Sequence, residues 1–256
     1  MSRFHFPFEL EIFVVTELES NSILLYDKDE KEGIIVDCGG SQDKVVQRVK
    51  ELSLKINHVY YTHGHFDHVD FTGQLAEYLK CPITVHSRDQ SVYHKQLAFK
   101  KRICKVCNDT SVPDILDHHE GEEFHFGRFK GTIIHTPGHS PGSCSFYIPD
   151  ILIMTGDTIF AQGVGHTRGP GASRIMLKES IKNKLLILND GLIVLPGHGP
   201  FTTIGAERKY LTQYVSDLPQ KGSECTSSSS APSASTEQCP CDDPTSSSQA
   251  SENKKS

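Results

Sequence analysis

Apolar and polar positions alternate along the first part of the chain in patterns typical of both strands and helices. Residues 10–37 alternate as short strands separated by polar turn signals. In residues 41–52 (SQDKVVQRVKEL) the large apolar side chains share one helical face, and Ser41 is a suitable N-cap. An apolar, β-branched run at residues 56–61 (INHVYY) then predicts a strand.

Strand and helix patterns continue to alternate further along the chain. Four segments have helical periodicity: residues 69–79, 90–101, 173–188 and 203–215. Four shorter apolar runs indicate strands: residues 83–86, 131–135 (GTIIH), 151–154 (ILIM) and 192–195 (LIVL). Two strand-rich halves, each followed by helices, predict a mixed α/β domain, whose boundaries we place at residues 1–221.

The composition changes abruptly at Gly222. From there to Ser256, serine, threonine, proline and acidic residues dominate, and large apolar residues are almost absent. Such a segment cannot offset the entropy cost of ordering by burying apolar surface. We therefore expect residues 222–256 to be a disordered, Ser-rich tail.

Composition and charge argue against several classes of protein. The net charge of −6 gives no support for a nucleic-acid-binding surface. The sequence has no apolar stretch long enough to span a bilayer, and its N-terminus lacks the pattern of a secretory signal. We therefore expect a cytoplasmic protein that uses neither a membrane nor nucleic acid as partner. The oligomeric state is left open.

The cysteines do not suggest a disulfide framework. Cys104 and Cys107 form a lone C-x-x-C, which is a weak zinc signature without a second pair. Since the chain has no secretory signal, free thiols are expected throughout.

A cluster of histidines follows the strand predicted at residues 56–61. The run THGHFDH, residues 62–68, places three imidazoles and a carboxylate within seven residues. It lies between a predicted strand and a predicted helix, on a loop where alternate side chains can converge. Imidazole and carboxylate are ligands of borderline metal ions such as zinc, and catalytic sites leave one coordination position open for water. The run therefore predicts a catalytic metal site.

Three further strand ends carry a histidine or an aspartate. His139 lies in TPGHSPG, Asp157 in TGDT and His198 in PGHGP, each following an apolar run. Reactive groups collect on loops that a rigid scaffold positions. Packing alone does not explain four strand ends that each deliver such a side chain. We therefore expect these residues to join the cluster at residues 62–68.

With these elements the chain resembles the metallo-β-lactamase-fold hydrolases. The H-x-H-x-D-H, P-G-H, G-D and G-H-G elements occur in the order and approximate spacing of that superfamily, over roughly residues 10–215. Within it, the chain is most similar to the short bacterial-type glyoxalase II (hydroxyacylglutathione hydrolase) group, through TPGHSPGS, GDTIF and PGHGPFTTIGAER. The resemblance implies a four-layer αββα sandwich.

The resemblance also implies a binuclear metal site. Its ligands would form a first group, a second group and a bridge: His63, His65 and His139; Asp67, His68 and His198; and Asp157. A carboxylate has two oxygens and can span ions about 3.5 Å apart. We expect two divalent ions, zinc or else iron or manganese, and a bridging hydroxide that attacks a carbonyl, with Asp67 and Asp157 as the catalytic carboxylates. Since a thiolate is a weak base and leaves without a dedicated acid, a small-molecule acyl-thioester such as S-D-lactoylglutathione is the expected substrate.

Two residues close to these motifs are candidates for supporting roles. Asp37 closes the run GIIVD and resembles a family aspartate that orients a metal histidine through its other nitrogen. A turn-forming role before the following glycines is the alternative for Asp37. Thr62 is expected to steady the metal loop.

The chain departs from the glyoxalase II group in the loop after Asp157. Where that group continues with Arg-x-Asp after Gly165, this chain has His166, Thr167 and Arg168. The segment is rich in glycine, so its backbone can approach a ligand closely. His166 and Arg168 are candidate substrate-binding residues for the carboxylates of a glutathione-like molecule. A solvent-exposed loop without a binding role is the alternative.

Other functions on the same fold remain open from the sequence. A persulfide dioxygenase would use a single iron and a three-residue metal site, whereas His198 supplies a competent second-site ligand here. A lactonase, a β-lactamase or an RNA-processing hydrolase is also compatible with the ligand set. A metal-binding protein without catalysis is disfavoured, because all seven ligand positions are intact.

Overall fold

Two β-sheets form the centre of the structure, a computed structural model that describes residues 5–40, 42–70, 72–103 and 115–218. The strands of the first sheet are β1 (Glu9–Val15), β2 (Ser20–Asp27), β3 (Glu32–Val36), β4 (Lys55–Tyr60) and β5 (Ile83–Thr84), and they lie in that order across the sheet. β1 to β3 are antiparallel, while β3, β4 and β5 are parallel.

The second sheet is built from the later part of the chain. In chain order, the strands there are β6 (Glu123–Phe126), β7 (Phe129–His135), β8 (Cys144–Ile148), β9 (Leu152–Gly156), β10 (Ile159–Phe160), β11 (Gly163–Val164), β12 (Ile193–Pro196) and β13 (Thr202–Thr203). β10 and β11 form a small sheet of their own, and the other six have the order β13-β12-β9-β8-β7-β6. β12 is parallel to β9, and the remaining neighbours are antiparallel.

Helices cover the outer faces of both sheets. They are α1 (Gln42–Leu52), α2 (Phe66–Val69), α3 (Thr72–Leu79), α4 (Ser87–Ile103), α5 (Arg174–Ser180) and α6 (Ile204–Tyr214). The side chain of Ser173 accepts a hydrogen bond from the backbone of Met176 and so caps α5. Thr203 caps α6 in the same way, by accepting from the backbone of Ala206.

Alternate residues of the strands pack into different apolar layers. In β3, Ile34 faces the core between the two sheets, whereas Ile35 faces the core beneath α1, α3 and α4. In β9, Met154 faces the central core, whereas Ile153 packs against α5 and α6. Side chains on a strand point alternately to its two faces, so strands buried on both sides are apolar throughout. The three cores make the predicted αββα sandwich, which is confirmed.

Within each sheet, the strand directions place the carboxyl ends of the ligand-bearing strands at the same edge. β3 and β4 run parallel, and so do β9 and β12. β7 is antiparallel to β8, which is antiparallel to β9, so β7 also ends on the same side as β9. The loops that follow β4, β7, β9 and β12 carry the predicted ligands, and this topology is what gathers them.

The prediction of a single helix over residues 69–79 is wrong at its N-terminal end. Two helices, α2 and α3, occupy this region, and Asp70 between them is extended, with φ −62° and ψ 149°. The carbonyl of His68 accepts a hydrogen bond from the backbone of Cys38 at 3.0 Å instead of continuing the helical ladder. This tertiary hydrogen bond isolates α2 as a single turn.

Smaller differences concern the ends of elements. The helix predicted at residues 90–101 is longer, Ser87–Ile103, and the strand predicted at residues 83–86 is shorter, Ile83–Thr84. The helix predicted at residues 173–188 changes after α5 into a π-helical turn, Ile181–Leu185. In the described residues, no helix has the length and apolar character needed to cross a bilayer. The predicted cap Ser41, the Cys104–Cys107 motif and the predicted tail lie outside the described residues.

Candidate metal centre

The seven predicted ligand residues lie together at the sheet edge described above. Among the histidine, cysteine and acidic residues that the structure describes, three clusters have ligand atoms within 4.8 Å of one another: His63, His65 and His139; His63, His68 and Asp157; and Asp67, His68 and His198. The first and the third correspond to the two groups expected from the sequence. We call them the first group and the second group below.

The first group joins loops from both sheets. His63 and His65 follow β4 of the first sheet, and His139 follows β7 of the second. Nε2 of His139 lies 2.8 Å from Nδ1 of His65. The ring of His63 is edge-on to both of the others, with centroids 4.7 Å from each. Three ring nitrogens therefore converge on one small volume.

The second group is built on the isolated turn of α2. Asp67 and His68 are neighbours in that turn, and Oδ2 of Asp67 lies 3.3 Å from Nε2 of His68. His198 approaches from β12, with Nε2 3.2 Å from the same oxygen and 3.3 Å from Nε2 of His68. The side chain of His198 is 26% exposed, whereas that of His68 is fully buried. His198 is therefore the member of this group that borders solvent.

A residue of the first sheet holds the loop that carries His198. The side-chain amide of Asn21, in β2, donates hydrogen bonds to the carbonyls of Pro196 and Gly199, both at 2.9 Å. Its backbone N–H donates to the carbonyl of Gly197 at 2.7 Å. These bonds join the beginning of the domain to its end across the site.

Asp157 lies between the two groups, at the end of β9. Its Oδ2 is 3.4 Å from Nε2 of His139, which belongs to the first group. Its Oδ1 is 3.5 Å from Nε2 of His68 and 3.7 Å from Nε2 of His198, which belong to the second. Each oxygen of this carboxylate therefore faces a different group.

Hydrogen bonds on the far side of the rings determine which nitrogen faces the site. Nδ1 of His68 donates to Oδ2 of Asp37 at 2.9 Å. Nδ1 of His139 donates to the carbonyl of His166, and Nδ1 of His198 to the carbonyl of Leu18, both at 2.9 Å. When these rings are neutral, the assignment from these partners leaves a lone pair on each Nε2, directed at the centre.

His63 is oriented through Thr62. The hydroxyl of Thr62 donates to Oδ2 of Asp37 at 2.8 Å, so its oxygen accepts from Nδ1 of His63 at 3.0 Å. The backbone N–H of Thr62 donates to Oδ1 of Asp37, also at 2.8 Å. Asp37 thus supports His68 directly and His63 through Thr62, a pattern common around metal-binding histidines.

Burial keeps the first group neutral. It lowers the pKa of His65 to about 4 and that of His139 to about 3, and it holds the pKa of His63 well below its usual value. Neutral imidazole is the form in which a ring nitrogen binds a metal ion.

In the second group, the nearby carboxylates determine the direction in which the histidine pKa values shift. Burial lowers the pKa of His68 and His198, but the facing aspartates outweigh it and raise both. Burial raises the pKa of Asp67, but hydrogen bonds from the same two histidines outweigh it and hold the value low. At Asp157 burial prevails and raises the pKa.

The residues present fit metal ions in two respects. Among the described residues, Nε2 of His63 and Oδ1 of Asp157 are buried without a hydrogen-bond partner, and such buried polar atoms are costly unless something binds them. Nε2 of His139 and Nδ1 of His65 approach to 2.8 Å although Nδ1 of His139 already donates elsewhere. With Nδ1 of His65 unprotonated, the two facing lone pairs would repel each other at this distance unless both bind a cation. Nitrogen and carboxylate oxygen are also the donor set of borderline divalent ions.

The two candidate substrate residues differ in position. The exposed ring of His166 lies beside the first group, with centroids 4.7 Å from the ring of His139 and 6.2 Å from that of His65. Arg168 is exposed in the same loop, and within the described residues it has no hydrogen-bond or ion-pair partner. The structure brings His166 to the site but records no contact that places the guanidinium of Arg168 there.

Some residues around the site were missed by sequence reasoning. Asp89, in the first turn of α4, accepts hydrogen bonds from both loops of the first group. The carbonyls of His166 and Leu18 orient His139 and His198. A lone aspartate in a helix and two backbone carbonyls carry no sequence signature, so no local signal marks them.

His118 lies outside the ligand motifs and packs among core side chains. Nδ1 of His118 is 3.1 Å from the hydroxyl of Thr84, and His118 is fully buried beside the rings of Tyr60 and Phe146. Burial lowers the pKa of His118 to about 3. His118 therefore stays neutral in the folded protein.

Comparisons with known proteins agree with the fold. The family model described as the Metallo-beta-lactamase superfamily matches residues 15–198. Hydroxyacylglutathione hydrolase GloC of Haemophilus influenzae is 36% identical over 202 residues, which cover 78% of this chain and 95% of the relative.

Two solved structures are similar at the level of the whole domain. BLEG-1 B3 metallo-beta-lactamase gives a TM-score of 0.70 at 32% identity and covers 80% of this chain and 100% of its own. TTHA1623 in a di-iron-bound form gives a TM-score of 0.69 at 30% identity, over 78% of this chain and 97% of its own. The strand topology, the clustered ligand residues and these matches lead to one conclusion: the chain belongs to the metallo-β-lactamase superfamily of metal-dependent hydrolases.

Proposed function

We propose that the protein is a binuclear metal-dependent hydrolase of a glutathione thioester, of which S-D-lactoylglutathione is the leading candidate. The observation that supports a binuclear site is the position of Asp157. Its two oxygens face different ligand groups at 3.4 and 3.5 Å, and a carboxylate in this position bridges two ions. A mononuclear site gives no role to the second oxygen.

Each ligand group holds one ion in this proposal. The three nitrogens of the first group would hold one ion, the ligand atoms of the second group would hold the other, and Asp157 would contribute to both. Five imidazoles and two carboxylates neutralise only part of the charge of two divalent ions. Zinc suits this donor set, and iron or manganese is the alternative; the related TTHA1623 is described in a di-iron-bound form.

The residues around the ions prepare the site for attack on a carbonyl. Bound divalent ions supply deprotonated water near neutral pH and a positive charge for the developing oxyanion. Asp67 and Asp157 contribute negative charge and, as ligands, fix where that chemistry occurs. Asp37 and Thr62 hold His68 and His63 in position. A thiolate is a weak base, so it can leave without being protonated by the protein. The mechanism therefore assigns the role of general acid to none of the described residues.

Two observations support glutathione as the carrier of the acyl group. The relative from Haemophilus influenzae is named a hydroxyacylglutathione hydrolase and matches over 95% of its length. The ring of His166 also borders the first group, and Arg168 lies two residues further on in the same exposed loop. In our proposal these side chains bind the carboxylates of glutathione.

Metal analysis combined with hydrolysis assays tests this function. We expect close to two divalent ions per chain and hydrolysis of S-D-lactoylglutathione that chelators abolish. One iron per chain, with oxygen consumption on glutathione persulfide, would instead indicate a persulfide dioxygenase. Two ions with hydrolysis of lactones but not of thioesters would keep the binuclear mechanism and reject the substrate.

A further inference from the structure

Asp89 is a buried carboxylate next to the site that is not a candidate ligand. It belongs to the first turn of α4, and the residue is 0% exposed. It lies outside the three clusters of candidate ligand atoms. A carboxylate so fully buried needs several hydrogen bonds to replace water.

Those hydrogen bonds come from the two loops of the first group. Oδ2 of Asp89 accepts from the backbone N–H of Gly64 at 2.9 Å, and Gly64 lies between His63 and His65. Oδ1 accepts from the backbone N–H of Gly142 at 2.6 Å, in the loop that contains His139. One carboxylate therefore connects a loop of the first sheet to a loop of the second.

A pair of serines completes the connection. The hydroxyl of Ser140, next to His139, donates to Oδ2 of Asp89 at 2.6 Å. Since that proton is used, Ser140 Oγ accepts from Ser143 at 2.7 Å, and Ser143 Oγ accepts from the backbone N–H of Ser140 at 3.0 Å. Burial raises the pKa of Asp89, but all three of its partners are donors, which favours the ionised carboxylate.

Both loops approach α4 without a side chain between them. A Cβ added at Gly64 would lie 2.8 Å from the backbone nitrogen of Tyr93, and one at Gly142 would lie 2.7 Å from Cβ of Asp89. Contacts this short require glycine at both positions. The first turns of α4 thus form a rigid base against which both loops are fixed.

We infer that Asp89 is a positioning residue that sets the separation of the His63–His65 loop from the His139 loop and thereby the affinity of the first group for its ion. The inference rests on the proposed binuclear function. Asp37 supports His68 of the second group directly and His63 of the first group through Thr62, whereas the two loops that donate backbone hydrogen bonds to Asp89 carry the ligands of the first group. A change at Asp89 should therefore affect one ion selectively, which a general loss of stability would not do.

The variant Asp89→Asn tests this selectivity. Asparagine has nearly the same size, but in either orientation its amide N–H faces a backbone N–H of Gly64 or Gly142. Zinc is added stepwise to the metal-free protein. The NMR signals of the histidine rings show which ligand group binds the ion, and competition with a chelator gives the dissociation constant of each ion. We expect the dissociation constant of the ion at His63, His65 and His139 to rise roughly 10–100-fold, with the ion at His68 and His198 bound as in the wild type.

Asp27→Asn is the matched control. Asp27 is also a fully buried aspartate that accepts backbone N–H bonds, from Asp29 and Arg128 among others, but it lies at the end of β2 opposite the site. Its loss should lower Tm and leave both zinc affinities unchanged. If Asp89→Asn behaves like Asp27→Asn, or weakens both ions equally, the role of Asp89 is overturned.

A second variant keeps the test decisive if Asp89→Asn does not fold. Ser140→Ala removes one donor and leaves the carboxylate with its two backbone partners. We expect a smaller rise in the dissociation constant, confined to the same ion, and unchanged affinity would contradict the inference. A wild-type protein that binds no zinc at either group would overturn the proposed function itself, and the inference with it.

Discussion

The carboxylate of Asp37 accepts a hydrogen bond from Nδ1 of His68 at 2.9 Å, across a gap of thirty-one residues in the chain. Asp37 has a left-handed backbone, with φ 56°, directly after the end of β3. Aspartate tolerates this conformation better than most residues. Asp37 therefore orients the ring of His68, the part of the family-derived expectation that the structure shows, and it also occupies a turn, as in the alternative.

Replacing Asp37 with asparagine should weaken the second ion. In Asp37→Asn, an amide N–H turned towards His68 would force the ring into the tautomer whose Nε2 is protonated and unable to bind metal. We expect the affinity for that ion and kcat/KM to fall roughly 10–100-fold. Chelator competition and thioester assays measure both. A loss confined to the first ion would contradict the arrangement described here.

Asp157→Ala should separate metal binding from folding. Because Oδ1 of Asp157 has no hydrogen-bond partner among the described residues, its removal should cost the metal-free fold little stability. We expect Tm in excess chelator to match the wild type, while kcat/KM falls roughly a thousandfold or more. Saturating zinc should raise the wild-type Tm by roughly 5 °C or more and that of the variant much less. Near-wild-type turnover in Asp157→Ala would reject the bridging role.

Substrate recognition by the loop after β11 is testable through KM. For His166→Ala and Arg168→Ala we expect KM for a glutathione thioester to rise roughly tenfold, the loss of one charge-assisted contact, with unchanged metal content. The same variants should act normally on a thioester without the glutathione carboxylates. Lys55→Ala is the control, since Lys55 is an exposed cation at the beginning of β4, away from the metal loop. If KM is unchanged in both loop variants, another part of the protein binds the substrate.

Stability at mildly acidic pH should depend on His118. Its pKa is about 3 in the folded protein and about 6.5 when unfolded, so the unfolded chain takes up a proton that the folded protein does not. The contribution to folding stability is therefore full above about pH 6.5 and is lost as pH falls below it. Between pH 6 and 4.5, His118→Gln should reduce the slope of unfolding free energy against pH by up to about 1.4 kcal/mol per unit.

Urea unfolding in the presence of chelator measures this slope without a contribution from bound metal. The control is His125→Gln, because the side chain of His125 is 59% exposed. Equal slopes for the wild type and His118→Gln would show that His118 is not kept neutral by burial.

The sequence allowed prediction of those site residues that have metal-binding side chains and lie in a recognisable local pattern. The histidines and aspartates at strand ends stand out because buried apolar runs precede them, and the structure brings all seven together. The single-turn helix α2 was not predicted, since the bond from Cys38 to the carbonyl of His68 that ends it is a tertiary contact. Periodicity describes one segment at a time and contains no information on such a partner.

The role of Asp89 could not be predicted from the sequence for the same reason. Its sequence neighbourhood, SRDQ, is that of an ordinary helix beginning, and acidic residues are common in first turns. Its role depends on Gly64 and Gly142, which are remote in the chain and contribute only backbone N–H groups. A residue that acts through backbone partners becomes visible only when the loops are placed in space.

The hydrogen bonds of Asn21 have a consequence for how the protein is made. Asn21 is synthesised before the loop it holds, around Gly197 and Gly199, which lies near the end of the domain. Contacts between such distant residues form late in folding, because the intervening chain must first be ordered. A nascent chain that ends before this loop has the THGHFDH run but no complete second group. In the proposed binuclear enzyme, the second ion would therefore be bound only after this loop has been synthesised.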